Sequence, residues 1–203
     1  SVTFNFLVPV GRHFENKKTF GVSLNEQNFG WAQGKFESGF VVHEGKPADR
    51  KVHETFWING GSGVFRRDLW IKLGGLDEKL LLPFYWEDID ISYRAHKRGY
   101  LLFWEPAASV NHKHESTIRP YFGKGRLEKI RERNQLIFIW KNLTSQNLFR
   151  KHIQGLLKRL ASHPGYILVV IAALSKFFEI RKARAREKKE EKISDEAIFA
   201  RFK

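Results

Sequence analysis

Between Trp57 and Ser116 the chain places three carboxylates, Glu87, Asp88 and Asp90, directly after three aromatics, Phe84, Tyr85 and Trp86. Charge beside apolar rings restricts the local fold, because each carboxylate must reach water, a cation or backbone donors. A helix beginning at Glu87 meets that need, since backbone N–H groups and the macrodipole favour acids in a first helical turn. The helix is expected from Glu87 to Arg98, with Gly99 as its left-handed stop after Lys97-Arg98. Gly60-Gly61-Ser62-Gly63 lies upstream, and Asn111-His112-Lys113-His114-Glu115 lies downstream. Together they suggest a site, although a well-started helix alone also accounts for the acids.

With 203 residues, 42% hydrophobic content and 18 Phe, the chain can fold around one core and still carry a helical appendage. It has no Cys, which excludes disulfides and thiolate metal sites and fits a reducing compartment. It has no Met either, even at position 1, so the sequence is expected to start after processing or within a longer gene. No basic-then-apolar signal peptide opens it. The net charge of +14 is concentrated toward the end, where Lys176 to Lys192 holds eight Lys or Arg against four Glu. That excess suits anionic lipid, nucleic acid or a phosphorylated substrate.

Val2 to Val10 alternates in the period of a strand, ended by Gly11. Phe20 to Leu24 and Phe36 to Val42 are candidate short strands, and Glu44 to Glu54 an exposed loop. Phe56-Trp57-Ile58 leads into the glycine run, which serves either a close backbone approach or a plain tight turn. A short helix follows from Arg67 to Leu73, stopped by Gly74-Gly75. Tyr100 to Trp104 is an apolar strand closed by Pro106, with a second strand over Ser109 to His112. Phe122 to Asn142 turns helical, and Ser145 or Asn147 can cap the next helix, whose apolar stripe is Phe149, Ile153, Leu156, Leu157 and Leu160. Tyr166 to Leu174 is uninterruptedly apolar and Phe177-Phe178 extend it, yet it falls short of the ~20 residues that cross a bilayer. It fits equally a helix lying on a membrane or one packed on the domain. A charged connector and a short helix over Ile193 to Lys203 complete the chain.

A carboxylate held at a helix N-terminus can accept a proton from a hydroxyl within hydrogen-bond reach, and Asp88 is the candidate base. Glu87 and Asp90 project about 100° and 200° away around the helix, so the three acids do not form one cluster. That divergence weakens a glycosidase reading, which needs two carboxylates about 5 to 10 Å apart across the scissile bond. It equally disfavours Asp88-Ile89-Asp90 as a metal-gripping D-x-D. His112 at a strand end, with His114 and Glu115 on alternating positions, offers ligands suited to Mn²⁺ or a similar ion, or else surface histidines without metal. Nucleic acid is disfavoured, because the aromatics are interleaved with carboxylates instead of Lys and Arg.

Taken together, Trp57 to Asn142 resembles the C-terminal half of the family 2 glycosyltransferases of GT-A fold. The resemblance is carried by Gly60-Gly61-Ser62-Gly63-Val64-Phe65-Arg66-Arg67, Leu73-Gly74-Gly75-Leu76-Asp77-Glu78, Tyr85-Trp86-Glu87-Asp88-Ile89-Asp90-Ile91-Ser92-Tyr93-Arg94-Ala95, Arg98-Gly99-Tyr100, Glu105-Pro106 and His112. Arg131-Glu132-Arg133-Asn134-Gln135 through Lys141-Asn142-Leu143 is similar to the helix that follows in these enzymes. The implied architecture is α/β, the acceptor-binding part of a Rossmann-like GT-A domain over residues 1–143, with a basic amphipathic helical extension over 144–203. The implied activity is inverting transfer of a sugar from a nucleotide-sugar donor to a glycan or lipid-linked acceptor hydroxyl. By the same resemblance Asp88 is the general base and Glu87 helps to position the acceptor, which Trp57, Gly60, Gly61, Ser62 and Trp86 line. His112 completes a site for Mn²⁺ or Mg²⁺, which offsets charge on the leaving nucleoside diphosphate.

The family's nucleotide-binding strands and strand-end D-x-D precede the region matched here, and this chain has only Asp49 before Asp68. The 203 residues are therefore expected to be a fragment or half of a split enzyme, inactive without an N-terminal half or partner chain. The expected location is cytoplasmic, peripheral on the inner face of the cell membrane. The alternative is a non-catalytic basic module that binds an anionic membrane surface through Lys176 to Lys192.

Overall fold

A computed structural model describes residues 7–26, 29–111 and 123–202. A four-stranded sheet has β1 (Thr19–Asn25) inside it, in the order β4-β6-β1-β5. Here β4 is His53–Glu54, β5 is Gly63–Phe65 and β6 is Leu101–Ser109. β6 runs parallel to β1, while β5 pairs antiparallel with β1 and β4 with β6. The first six residues of β1 are all buried, as expected for a strand covered on both faces. Gly21 is required there: a Cβ would lie 2.7 Å from Ile58 Cδ1 and 2.8 Å from the Val64 carbonyl.

The strand expected to close at Pro106 instead runs on through it to Ser109, and of the second expected strand, Ser109 to His112, the last residue lies outside the described set. Pro106 falls where the β1 register shifts between Leu24 and Asn25, so its missing N–H leaves no regular ladder position empty. The N-terminal alternation also misleads. Leu7–His13 is a helix, α1, with Gly11 inside it, and residues 1–6 lie outside the described set. Val10 is its buried contact, packing in a cluster with Val22, Leu24 and Ala108, while Leu7 and Val8 are exposed. A run this short carries no decisive period.

β2 (Ala32–Glu37) and β3 (Phe40–Gly45) form a separate hairpin, with Ser38 and Gly39 at positive φ in its two-residue turn. α2 (Arg67–Leu73) stops at Gly74, and α3 (Glu87–Lys97) is followed by Gly99 at φ +78°, as expected. α4 (Lys124–Asn142) is the central helix, packing against α3, β3 and two later helices. Leu136, Ile137, Phe138 and Ile139 are all buried, which explains why its sequence has no single apolar stripe.

Beyond α4 come α5 (Gln146–Ser162), a 3-10 turn at Pro164–Tyr166, α6 (Ile167–Leu174), α7 (Phe177–Glu190) and α8 (Asp195–Arg201). Ser145 caps α5 by accepting from the Leu148 N–H at 3.2 Å. The buried face of α5 is Leu148, His152 and Leu156, with Ile153 and Leu157 exposed, so the expected stripe is rotated. His152 explains the rotation: it accepts from Trp140 Nε1 at 2.8 Å and bonds to the Gly39 carbonyl at 2.8 Å, taking a place an apolar residue was expected to hold. The expected charged connector is the helix α7. One core joins Phe40 and Phe56 to Tyr93 of α3, Phe138 of α4, and Phe199 and Phe202 of the C-terminal end.

Candidate functional site

The chain enters α3 through two consecutive non-glycine residues in the left-handed region, Tyr85 (φ +73°) and Trp86 (φ +74°). Such backbone costs about 1 to 3 kcal/mol per residue and persists only when its surroundings hold it. Asn134 supplies the hold. Its side chain is fully buried, with Nδ2 at 2.8, 2.9 and 3.0 Å from the carbonyls of Leu81, Phe84 and Tyr85. Arg133 donates to Asn134 Oδ1 from Nε and Nη2, at 3.0 and 2.8 Å, and to the Leu82 carbonyl. The Arg131 guanidinium lies 4.7 Å from the centre of the Tyr85 ring.

This entry sets Asp88, half-buried, against the glycine loop. The Ile89 N–H donates to Oδ1 at 2.8 Å, and the Gly60 backbone, close by, favours the ionised carboxylate. A Cβ on Gly60 would stand 3.9 Å from the Asp88 Cβ. Burial, and next the Glu87 carboxylate, push the Asp88 pKa up to about 7 against those donors. Glu87 is raised too, by burial and then by Asp90, and its Oε2 has no hydrogen-bond partner.

Asp90 goes elsewhere. It is 0% exposed and receives Arg94 Nε at 2.8 Å, Lys141 Nζ at 2.9 Å and Asn142 Nδ2 at 2.7 Å. Burial opposes its ionisation, but Arg94 and Lys141 outweigh that and hold its pKa at about 2. Lys141 reaches Asp77 as well, at 2.7 Å. The two acids of the D-x-D letters thus serve different places, one the loop surface and one an internal ion-pair network.

Gly60 and Gly61 are exposed, and their loop is braced from beneath. The Gly61 N–H donates to Asn59 Oδ1 at 2.9 Å, and Asn59 Nδ2 donates to Glu26 at 3.0 Å. Ser62 is buried, its hydroxyl donating to the same Glu26 oxygen and its carbonyl accepting from Leu24. Trp57 is half-buried and meets His43 edge-on at 4.7 Å, and His43 meets Trp86 at 5.2 Å. Trp86 itself is only 4% exposed and packs on Phe138. His43, Glu26 and Asn59 were not singled out from the sequence. Burial, and then Arg131, lower the His43 pKa to about 4, so it is neutral near pH 7.

His112, His114 and Glu115 lie outside the described residues. Among the described residues, no three His, Cys, Asp or Glu converge on a position that could hold a metal ion.

A mixed sheet flanked by helices thus sets an acid at the head of α3 against the loop before β5. The solved structure of GalNAc-T7 with UDP, GalNAc and Mn²⁺ matches at TM-score 0.53 and 14% identity, over 84% of this chain and 39% of that one. At that identity the likeness speaks for the fold. In sequence, 90 residues are 31% identical to the N-acetylglucosaminyl-diphospho-decaprenol L-rhamnosyltransferase of Mycobacterium tuberculosis, covering 44% of this chain and 28% of that protein. A further 34% identity over 67 residues is found with an uncharacterised protein of Mycobacterium bovis, covering 32% of this chain and 26% of the relative. The chain spans roughly a quarter of the length of these relatives. No protein-family model matches it. The expected resemblance to GT-A glycosyltransferases is thus met in both fold and sequence, and the α/β class with it.

Proposed function

We propose that the chain is the acceptor-side part of an inverting glycosyltransferase of family 2 type, with Asp88 as the general base. The observation that carries this is a half-buried carboxylate, raised to about 7 and set close to Gly60 at the rim of an exposed glycine loop. A base with that pKa is largely proton-free just above neutrality and still basic enough to take a proton from a sugar hydroxyl. In the reaction the acceptor oxygen attacks the anomeric carbon while its proton passes to Asp88. The bond to the nucleoside diphosphate breaks on the opposite face, and the configuration inverts.

Glu87, whose buried Oε2 lacks a hydrogen-bond partner, is proposed to help position the acceptor. Trp57 offers a partly exposed ring for a sugar face, and Gly60 and Gly61 allow the acceptor close to the backbone. Ser62 and Trp86 are buried, and their proposed part in acceptor binding is to shape the loop and the α3 entry. A divalent ion, when bound, would stabilise the departing diphosphate, and His112 is proposed as a ligand on the strength of the resemblance alone.

The nucleotide-binding half is proposed to come from outside these 203 residues, in the same polypeptide or a partner chain, so that this part alone transfers little or no sugar. The glycan or lipid-linked acceptor and a peripheral place on the inner membrane face complete the proposal. The mycobacterial relative, whose name specifies a lipid-linked diphosphate acceptor, supports it. The test is Asp88→Asn in the full-length transferase. A fall in kcat of about 10² to 10⁴-fold with unchanged thermal unfolding is expected; transfer at near the original rate would refute the assignment.

A further inference from the structure

No helix among the described residues is long and apolar enough to cross a membrane, yet α6 leaves an unusually greasy face in the open. Leu168 is 62% exposed, Ile171 57% and Phe178, just beyond the helix, 80%. From Pro164 to Ser175 the sequence has no charged residue at all. The opposite face of α6, Val169, Val170 and Ala173, is buried in the core, so the helix is fixed in place with its other side unpartnered among the described residues. Contiguous apolar exposure of this kind marks an interaction surface.

Beside it runs a row of cations. Arg126, Lys129 and Arg133 of α4 recur at three and four residues and line a groove of about 180 Å³ together with Ile130, Gly165 and Leu168. Neither acid of α4, Glu128 or Glu132, is among the residues that line this groove. α7, which the sequence offers as the basic anchor, turns part of its charge inward. Glu187 and Glu190 bind Arg98, Arg186 pairs with Glu190, and Arg184 donates to the Trp140 carbonyl.

We infer that α6, with the cation row of α4 beside it, is a docking face for an anionic lipid bilayer. An eight-residue helix is about 12 Å long, so it lies in the plane of the interface and does not span it. Its aliphatic side chains enter the acyl boundary, and Arg126, Lys129 and Arg133 sit at the level of the phosphates. A second copy of the chain is a poorer occupant, because a net charge of +14 and the facing cations repel it. Docking also places the site. Arg133 donates to the Leu82 carbonyl, in the loop that leads to Tyr85 and Asp88, so the rim of that loop is held close to the membrane surface. This rests on the membrane placement proposed above and is independent of glycosyl transfer.

The test is co-sedimentation of the chain with vesicles of phosphatidylcholine alone and of phosphatidylcholine with phosphatidylglycerol. Binding is expected to the second and to weaken with salt. Lys129→Glu is expected to weaken it about fivefold or more, and the triple variant Leu168→Ser/Ile171→Ser/Phe178→Ser about tenfold or more. Lys188→Glu/Lys189→Glu on α7 should stay within roughly threefold of the parent. Hydrogen exchange on the unmodified chain needs no variant to fold, and vesicles should slow exchange over 164–178. Equal binding to both vesicle types, no binding, a triple variant that binds like the parent, unchanged exchange over 164–178, or a dimer that the triple variant dissociates would overturn the inference. The Asp88→Asn result is read in a separate assay and stands whichever way this falls.

Discussion

Asp88 and Asp90 are two residues apart and are driven to opposite ends of the carboxylate range, to about 7 and about 2. The cause is direction. One side chain faces a glycine loop and the other a pair of buried cations. For transfer, kcat/KM should rise with pH through a limb near 7 as Asp88 loses its proton, and Asp88→Asn should abolish that limb in a pH–rate profile. For stability the sign is reversed between them. The raised Asp88 binds its proton more tightly folded than unfolded, so it favours the fold below about pH 4 and that contribution is lost as pH rises through 7. The depressed Asp90 stabilises above its ordinary value and loses that contribution as pH falls toward 2. Asp90→Ala leaves Arg94 and Lys141 buried without it and should cost about 3 to 5 kcal/mol in denaturant unfolding. That helix periodicity would separate these acids was legible in the sequence. That His43 would meet Trp57 and Trp86, and that Glu26 would brace the glycine loop through Asn59 and Ser62, was not, because these contacts join segments distant in the chain.

At the level of elements, α2, α3 and α5 announced their ends through glycines or a serine cap, which act over a few residues and need no tertiary partner. α1 and the join at Pro106 were misread because a seven-residue helix and a strand irregularity take their form from what they pack on. The loop from Leu81 to Trp86 is the clearest case of dependence on a distant element, since the α4 residue Asn134 holds its carbonyls. Asn134→Ala should lower stability by about 1 to 3 kcal/mol through unpaired buried carbonyls. It should also reduce kcat more than it changes KM for the donor, because the loop it releases aims Asp88. Wild-type kinetics in a folded Asn134→Ala protein would show that the loop keeps its shape without the amide.

Across the whole molecule, one core takes residues from both sides of position 143, where the resemblance ends the α/β part. Phe199 and Phe202 sit against Phe56, and Lys97, at the end of α3, is buried with Asp195 at 2.9 Å and the Thr144 hydroxyl at 2.5 Å. Tyr93 donates to the same Asp195 oxygen at 2.7 Å. A basic, polar-looking tail hides these contacts from sequence analysis, because only a few of its residues make them. Asp195→Ala should cost about 3 to 5 kcal/mol by leaving the Lys97 ammonium buried and poorly matched, measurable as a lower midpoint in denaturant.

Lys97 meets Asp195, 98 positions further along the chain. A ribosome adding about 5 to 20 residues per second therefore exposes the α3 lysine several seconds before its carboxylate partner exists. Through that interval the lysine stays hydrated, since only the folded core buries it. A chain that stops short of Asp195 would leave the α3 lysine without that partner.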